Sequence, residues 1–283
     1  MKNYKRFASL IGVQWKYTKK FFFLLILCFV GAQGALLYMN LSRTASNFTL
    51  EGQGFSTRYT RYMSDGTTPW YYRFELLLSM SHWDKIFVIG LAFILILLTF
   101  NAFRQRSETV VEYTYTRLPM KPNMVLGAMF IHNLCLFLIL IGVQFVMVFV
   151  GYRLYLSFVI EDVVMKQGLF LAFIRWNFLR RLYPIGDVIR LLFNVVCLMH
   201  ISYISTIQGM RTVYRERAAG LDLFVIVVWI LLLSIIGDPS IPWFICITFA
   251  IGMDALRMLW KYLGMVRRWS EREFDEWDEF YYK

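Results

Sequence analysis

Charge is what this sequence has least of. Only 17% of its 283 residues are Asp, Glu, Lys or Arg, against about 25% in a soluble globular domain. No charge falls between Ile86 and Phe100 or between Met124 and Tyr152, and runs of that kind suit hydrocarbon rather than water. Cysteine offers no chemistry. Cys28, Cys135, Cys197 and Cys246 each stand in an apolar run, with no CxxC or other ligand spacing, so neither a metal site nor a disulfide framework is expected. His82, His132 and His200 form no HExxH pattern. No Gly-Lys dipeptide occurs, which excludes a Walker A phosphate loop. No paired-carboxylate site, GxSxG elbow or supported nucleophile–base pair appears, so the chain is not read as an enzyme. No internal repeat or low-complexity stretch is visible.

What is present is apolar mass: 58% hydrophobic and 18% aromatic residues. A net charge of +11 would suggest nucleic acid in a soluble protein. Here the Lys and Arg flank apolar segments, so membrane topology explains them, the bilayer is the expected surrounding and no nucleic-acid partner is expected. The fold expected is all-α: a polytopic membrane protein of six transmembrane helices with an N-terminal interfacial helix. The spans are read at about 21–41, 85–103, 123–152, 188–210, 223–236 and 241–263. Together they make one transmembrane domain over 21–264, between a helix over 1–20 and an acidic, aromatic tail over 265–283. Gly237, Asp238, Pro239, Ser240 and Pro242 predict a tight turn, making spans five and six an antiparallel hairpin. The first apolar run follows Lys19 and Lys20 without a small-residue cleavage site, so no cleavable signal peptide is expected.

The basic residues of the N-terminus, of the loops after spans two and four, and of the tail outnumber those of the opposite side. That places both termini in the cytoplasm. Phe7, Leu10, Ile11 and Trp15 recur at helical spacing among Lys2, Lys5, Arg6, Lys16 and Lys19. This pattern predicts a basic amphipathic helix lying in the cytoplasmic headgroup region. Two long outer segments remain, Ser42–Asp84 and Arg153–Asp187. The second is read as an interfacial or re-entrant helix with its Arg and Trp residues at headgroup level.

Polar residues inside the spans are few. His132 and His200 suit helix–helix hydrogen bonds or a substrate or proton role. Asn194, Gln144 and Gln208 suit packing between helices. Asp254 and Arg257, three apart, predict an ion pair on one helix face. In the tail, Glu271, Glu273, Asp275 and Glu276 alternate with aromatics, as a solvated end or a contact for a basic surface would.

The most informative stretch runs from Arg104 to Leu126, between spans two and three. Ser107 can cap a short helix, with Glu108 and Glu112 near its start. Val110, Val111, Tyr113 and Tyr115 give it an apolar and aromatic surface, and Pro119 and Pro122 close it. Such a segment either lies on lipid headgroups or docks a cytoplasmic protein.

Here the chain resembles a family. The Glu-containing short helix, followed by Arg117-Leu118-Pro119-Met120-Lys121 leading into an apolar helix, is similar to the permeases of bacterial type-2 ATP-binding-cassette exporters. Those typically carry Leu-Pro-Val/Met and basic residues after span two. This chain differs in having Lys121-Pro122 where consecutive basic residues are more usual, and in placing its long outer insert between spans three and four. The resemblance implies a transport subunit in the bacterial inner membrane, working with a second permease as a homodimer or heterodimer. It also implies a separate ATPase subunit that holds ATP and Mg, with no cofactor in this chain. Glu108, Glu112, Tyr113, Tyr115, Arg117, Leu118 and Pro119 would couple to that ATPase, and Arg211, Arg215 and Arg217 would form a second cytoplasmic contact. The competing reading is a non-transporting membrane immunity or sensor protein that binds a partner.

Overall fold

A computed structural model describes residues 2–50, 73–107, 122–158, 167–213, 249–264 and 267. Among the described residues every regular element is a helix, and there is no strand. α1 spans Lys2–Leu50, α2 Phe74–Met80, α3 Trp83–Ser107 and α4 Pro122–Phe158. α5 spans Gly168–Arg175, α6 Asn177–Leu182 and α7 Val188–Val213, and α8 covers 249–264. Proline marks the boundaries. Pro122 opens α4, where its missing N–H costs nothing, and Pro184 separates α6 from α7.

Among the described residues four helices are long and apolar enough to cross a membrane: Phe7–Arg43, Trp83–Ala102, Asn123–Phe158 and Val188–Arg211. They coincide with the first four expected spans. Their outward faces carry Phe23, Leu27, Phe93, Ile96, Val146 and Leu192, all exposed, which is the surface a bilayer would cover. The expected fifth span, 223–236, lies outside the described residues. The sixth is described from residue 249 onward, as α8.

Side-chain contacts give the directions. Phe7 reaches Gly127, Thr18 meets His132 and Gln33 meets Gln144, so α1 and α4 run parallel. Phe21 packs on Phe100 and Phe29 on Phe87, so α3 runs against α1. Asn133 meets Thr206, and Gly209 lies against Met129 and Ala102. α7 therefore runs with α3. α8 runs with α7, since Asp254 meets His200 in mid-α7 while Tyr262 meets Asn123 at the start of α4. The end where α1 begins is the basal pole.

Two features differ from the sequence expectation. Residues 7–20 do not form a separate helix lying flat. α1 continues from Lys2 to Leu50 without a break, because no proline interrupts it. Leu10, Trp15 and Thr18 stand inside the bundle, packed with α4. The long helices also overshoot the expected spans. At about 1.5 Å per residue, α1 is about 74 Å long and α4 about 56 Å, against a hydrocarbon core of about 30 Å.

The excess builds a second core. One apolar cluster fills the bundle around Phe22, Phe29, Ile94, Phe137 and Ile204. The other forms a cap at the far pole, where α2, α5 and α6 fold against the upper parts of α1 and α4. Phe74, Leu77, Trp83, Tyr155 and Leu179 are fully buried there. Gly151 makes room for Trp83: a Cβ at residue 151 would lie 2.9 Å from the Trp83 ring and 3.1 Å from Leu37. The Trp83 indole N–H donates to the Gln33 carbonyl at 3.2 Å. At the corner between α2 and α3, Asn40 donates to the Ser81 hydroxyl at 3.0 Å, and Ser81 donates to the Leu77 carbonyl at 2.8 Å.

Candidate functional site

A polar layer crosses the basal half of the bundle. Thr18, His132, Asn133, His200, Ser202, Ser205, Thr206 and Gln208 are all buried. They come from α1, α4 and α7, and α8 adds Asp254 and Arg257. In a low-dielectric interior an unpaired polar group costs several kcal/mol, so the pairing decides what the layer can do.

Three connections tie the helices together. The Thr18 hydroxyl donates to the Gln14 carbonyl at 3.0 Å and lies 3.1 Å from His132 Nε2. The hydroxyl has one proton, already given to Gln14, so His132 donates through Nε2–H. Asn133 donates to the Thr206 hydroxyl at 2.9 Å, joining α4 to α7. His200 Nε2 lies 3.1 Å from Asp254 Oδ2, joining α7 to α8. A carboxylate only accepts, so His200 also carries its proton on Nε2.

Asp254 is the centre of the third connection. Its Oδ1 accepts a hydrogen bond from Arg257 Nε at 2.9 Å and lies 2.6 Å from Nη2 as an ion pair, while Oδ2 meets His200. The side chains of His200 and Asp254 are 3% and 13% exposed. Both carboxylate oxygens are thus engaged by nitrogen donors. Higher in the bundle, Gln33 donates to Gln144 Oε1 at 2.5 Å, joining α1 to α4. At the basal end, Tyr262 donates to Asn123 at 2.5 Å.

The expected polar pairs are partly seen. Asp254 and Arg257 form the ion pair that their spacing predicts. Gln144 serves helix packing, and Asn194 donates to the Arg181 carbonyl at 2.7 Å. Thr18, Gln33 and Asn133 were not singled out by sequence, because each acquires meaning only from a partner on another helix. Among the described residues no three His, Cys, Asp or Glu side chains come together as a metal site requires. Cys28, Cys135 and Cys197 are free thiols, and Cys246 lies outside the described residues.

The expected coupling residues fall elsewhere. Glu108, Glu112, Tyr113, Tyr115, Arg117, Leu118 and Pro119 lie outside the described residues, as do Arg215 and Arg217. Arg211 is described, half-buried in the last turn of α7. The helix ends flanking these segments converge, however. Gly209 near the end of α7 lies against Ala102 near the end of α3 and Met129 near the start of α4. The chain therefore leaves α3 and re-enters α4 at the same basal pole where α7 ends.

Compared with known protein families, characterised proteins and solved structures, the chain matches none. What the described residues define is a class: an all-helical arrangement in which four helices are long and apolar enough to cross a membrane.

Proposed function

We propose that the chain is the membrane-spanning permease subunit of an ATP-binding-cassette exporter. It sits in a bacterial inner membrane with both termini in the cytoplasm, and it works beside a second permease, identical or different. The Arg117-Leu118-Pro119-Met120-Lys121 run after span two carries this reading. Its setting supports it, since the helices on either side open at one pole, together with the end of α7.

Helix direction supports six spans. α7 and α8 run the same way, and two successive parallel helices need a return path between them. A fifth span at 223–236 supplies one.

The mechanism proposed is mechanical. A separate ATPase subunit holds ATP and Mg and closes on the nucleotide. Its movement pushes the 104–121 segment, with Arg211, Arg215 and Arg217 as a second contact. Glu112 gives a charged contact, and Tyr113 and Tyr115 give apolar anchors of the kind that dominate interfaces. Pro119 sets the angle between this segment and α4. The bundle then shifts between two packings as rigid helices move past one another.

Purification of the full chain in mild detergent from its own membranes tests the proposal. A P-loop ATPase should co-purify. Tyr113→Ala with Tyr115→Ala should weaken that association about 10-fold, equivalent to about 1.4 kcal/mol, while leaving the protein inserted. Repeated recovery of the chain without an ATPase overturns the transporter reading. Recovery with a non-ATPase partner instead selects the immunity or sensor reading.

A further inference from the structure

The outward side of α1 changes character along its length. Its inward side meets α3 and α4 through Thr18, Phe29 and Gln33, all buried. On the other side Lys16, Lys20, Phe23 and Leu27 follow at steps of four, three and four residues, which aligns them on one helix face. Lys16 and Lys20 are exposed, as is Lys19 beside them. Phe23 and Leu27 are exposed at 62 and 70%. The stripe continues through Gly31 and Gly34, where a Cβ would meet nothing within 4 Å, to Tyr38, exposed at 54%. With no side chain at either glycine, the stripe dips between Leu27 and Tyr38.

The helices that carry and flank the lysines supply no acid beside them. α1 has no Asp or Glu in its 49 residues, and α4 has none. α3 has only Asp84, at the far pole. Asp254 of α8 is engaged by Arg257 and His200. Among the described residues Lys16, Lys19 and Lys20 stand in no ion pair. Trp15 is half-buried at the same level, its ring 6.1 Å from that of Phe23. Tryptophan is enriched where hydrocarbon gives way to headgroups.

The lengths agree. Eleven residues separate Lys20 from Gly31, which is about 16 Å of helix. Half of a hydrocarbon core of about 30 Å is about 15 Å, so the stretch from cations to glycines is one leaflet deep. Positive charge at one end of an open apolar face of that length complements a molecule with an anionic head and a hydrocarbon chain.

We propose that this face of α1 binds an anionic phospholipid of the leaflet at the basal pole. Lys16 and Lys20 hold its phosphate, and Lys19 adds attraction. One acyl chain lies along Phe23 and Leu27 and ends in the dip at Gly31 and Gly34. The site rests on the chain lying in a bilayer and is independent of any transport activity.

Native mass spectrometry of the full chain in detergent, titrated with dipalmitoyl phosphatidylglycerol or phosphatidylcholine, tests it. The wild type should retain phosphatidylglycerol about 10-fold better, a preference that lysines near a membrane surface can supply. Lys16→Gln with Lys20→Gln should abolish the preference. Lys85→Gln, exposed at the far pole, should leave it unchanged. Gly31→Leu with Gly34→Leu should lower retention of the dipalmitoyl lipid several-fold. The same variant should hold dioctanoyl phosphatidylglycerol, whose chains end short of residue 31, as well as the wild type does. If the double Gln variant does not fold, Lys20→Gln alone should reduce the preference several-fold. Equal retention of both headgroups by the wild type overturns the proposal. So does a preference that survives the Gln substitutions or falls equally with Lys85→Gln, and so does undiminished long-chain retention by the Leu variant.

Discussion

The basal bundle and the far cap are held together by different means. In the bundle, apolar helices meet lipid-like side chains on every face, and apolar contact alone does not choose a partner helix. Polar pairs do: Thr18 with His132, Asn133 with Thr206, His200 with Asp254. In the cap, short helices of six to eight residues could not persist alone. They are held by aromatic burial, with Phe74 against Tyr152 and Tyr155, and Phe173 against Tyr183. Few polar bonds therefore specify much in one region, while bulk and fit do so in the other.

The sharpest break should come from the cap. Trp83 is fully buried and bonds to Gln33, so Trp83→Ala should cost about 3–5 kcal/mol. Limited proteolysis should then cut near α2 and α5 while the α4 and α7 segments stay protected. Protection lost equally everywhere would show that the two regions unfold as one.

In the bundle the largest effect should follow loss of Asp254. Asp254→Leu removes the acceptor that Arg257 and His200 share and should cost about 1–3 kcal/mol, since a buried donor loses its partner. A double change, His200→Leu with Asp254→Leu, should cost no more than the single one. Thermal unfolding in one detergent measures both.

Gly151→Ala comes next. The added methyl meets Trp83 at 2.9 Å and should cost about 1–3 kcal/mol by overpacking. Trp83→Phe in the same chain should recover part of it, which a backbone role for the glycine would not allow. The smallest effect is that of a neutral pair. Asn133→Leu with Thr206→Val should show a coupling of about 0.6 kcal/mol in a double-mutant cycle, the usual size between membrane helices.

The two regions also differed in how legible they were. Charge-free runs located α3, α7 and the start of α4 to within a few residues, because hydrophobic length is a local property. The Asp254–Arg257 pair was legible for the same reason, since its partners share a helix. The cap was not. The segment that holds α5 and α6 reads as an interfacial or re-entrant helix because its Arg and Trp residues resemble a headgroup pattern, yet Trp176 and Leu179 are buried in the cap's apolar cluster. Only tertiary contact separates the buried Trp176 and Arg190 from the exposed Arg175 and Arg180. The layer joining Thr18 to His132 depends on residues 114 positions apart, a relation no window along the chain contains.

The unbroken course of α1 has a mechanical consequence. A single helix of 49 residues joins the basal pole to the cap, with a hydrogen-bonded turn at every step and no proline hinge to absorb bending. It behaves as a lever. A tilt of about 5° about its basal end would carry the other end about 6 Å, given its length of about 74 Å. Gln33 and Asn40 fasten the upper arm to α4 and to the α2–α3 corner, so that displacement would be delivered to the cap as a whole. A small rotation applied at one surface of the membrane would thus arrive at the other surface amplified in distance and reduced in force.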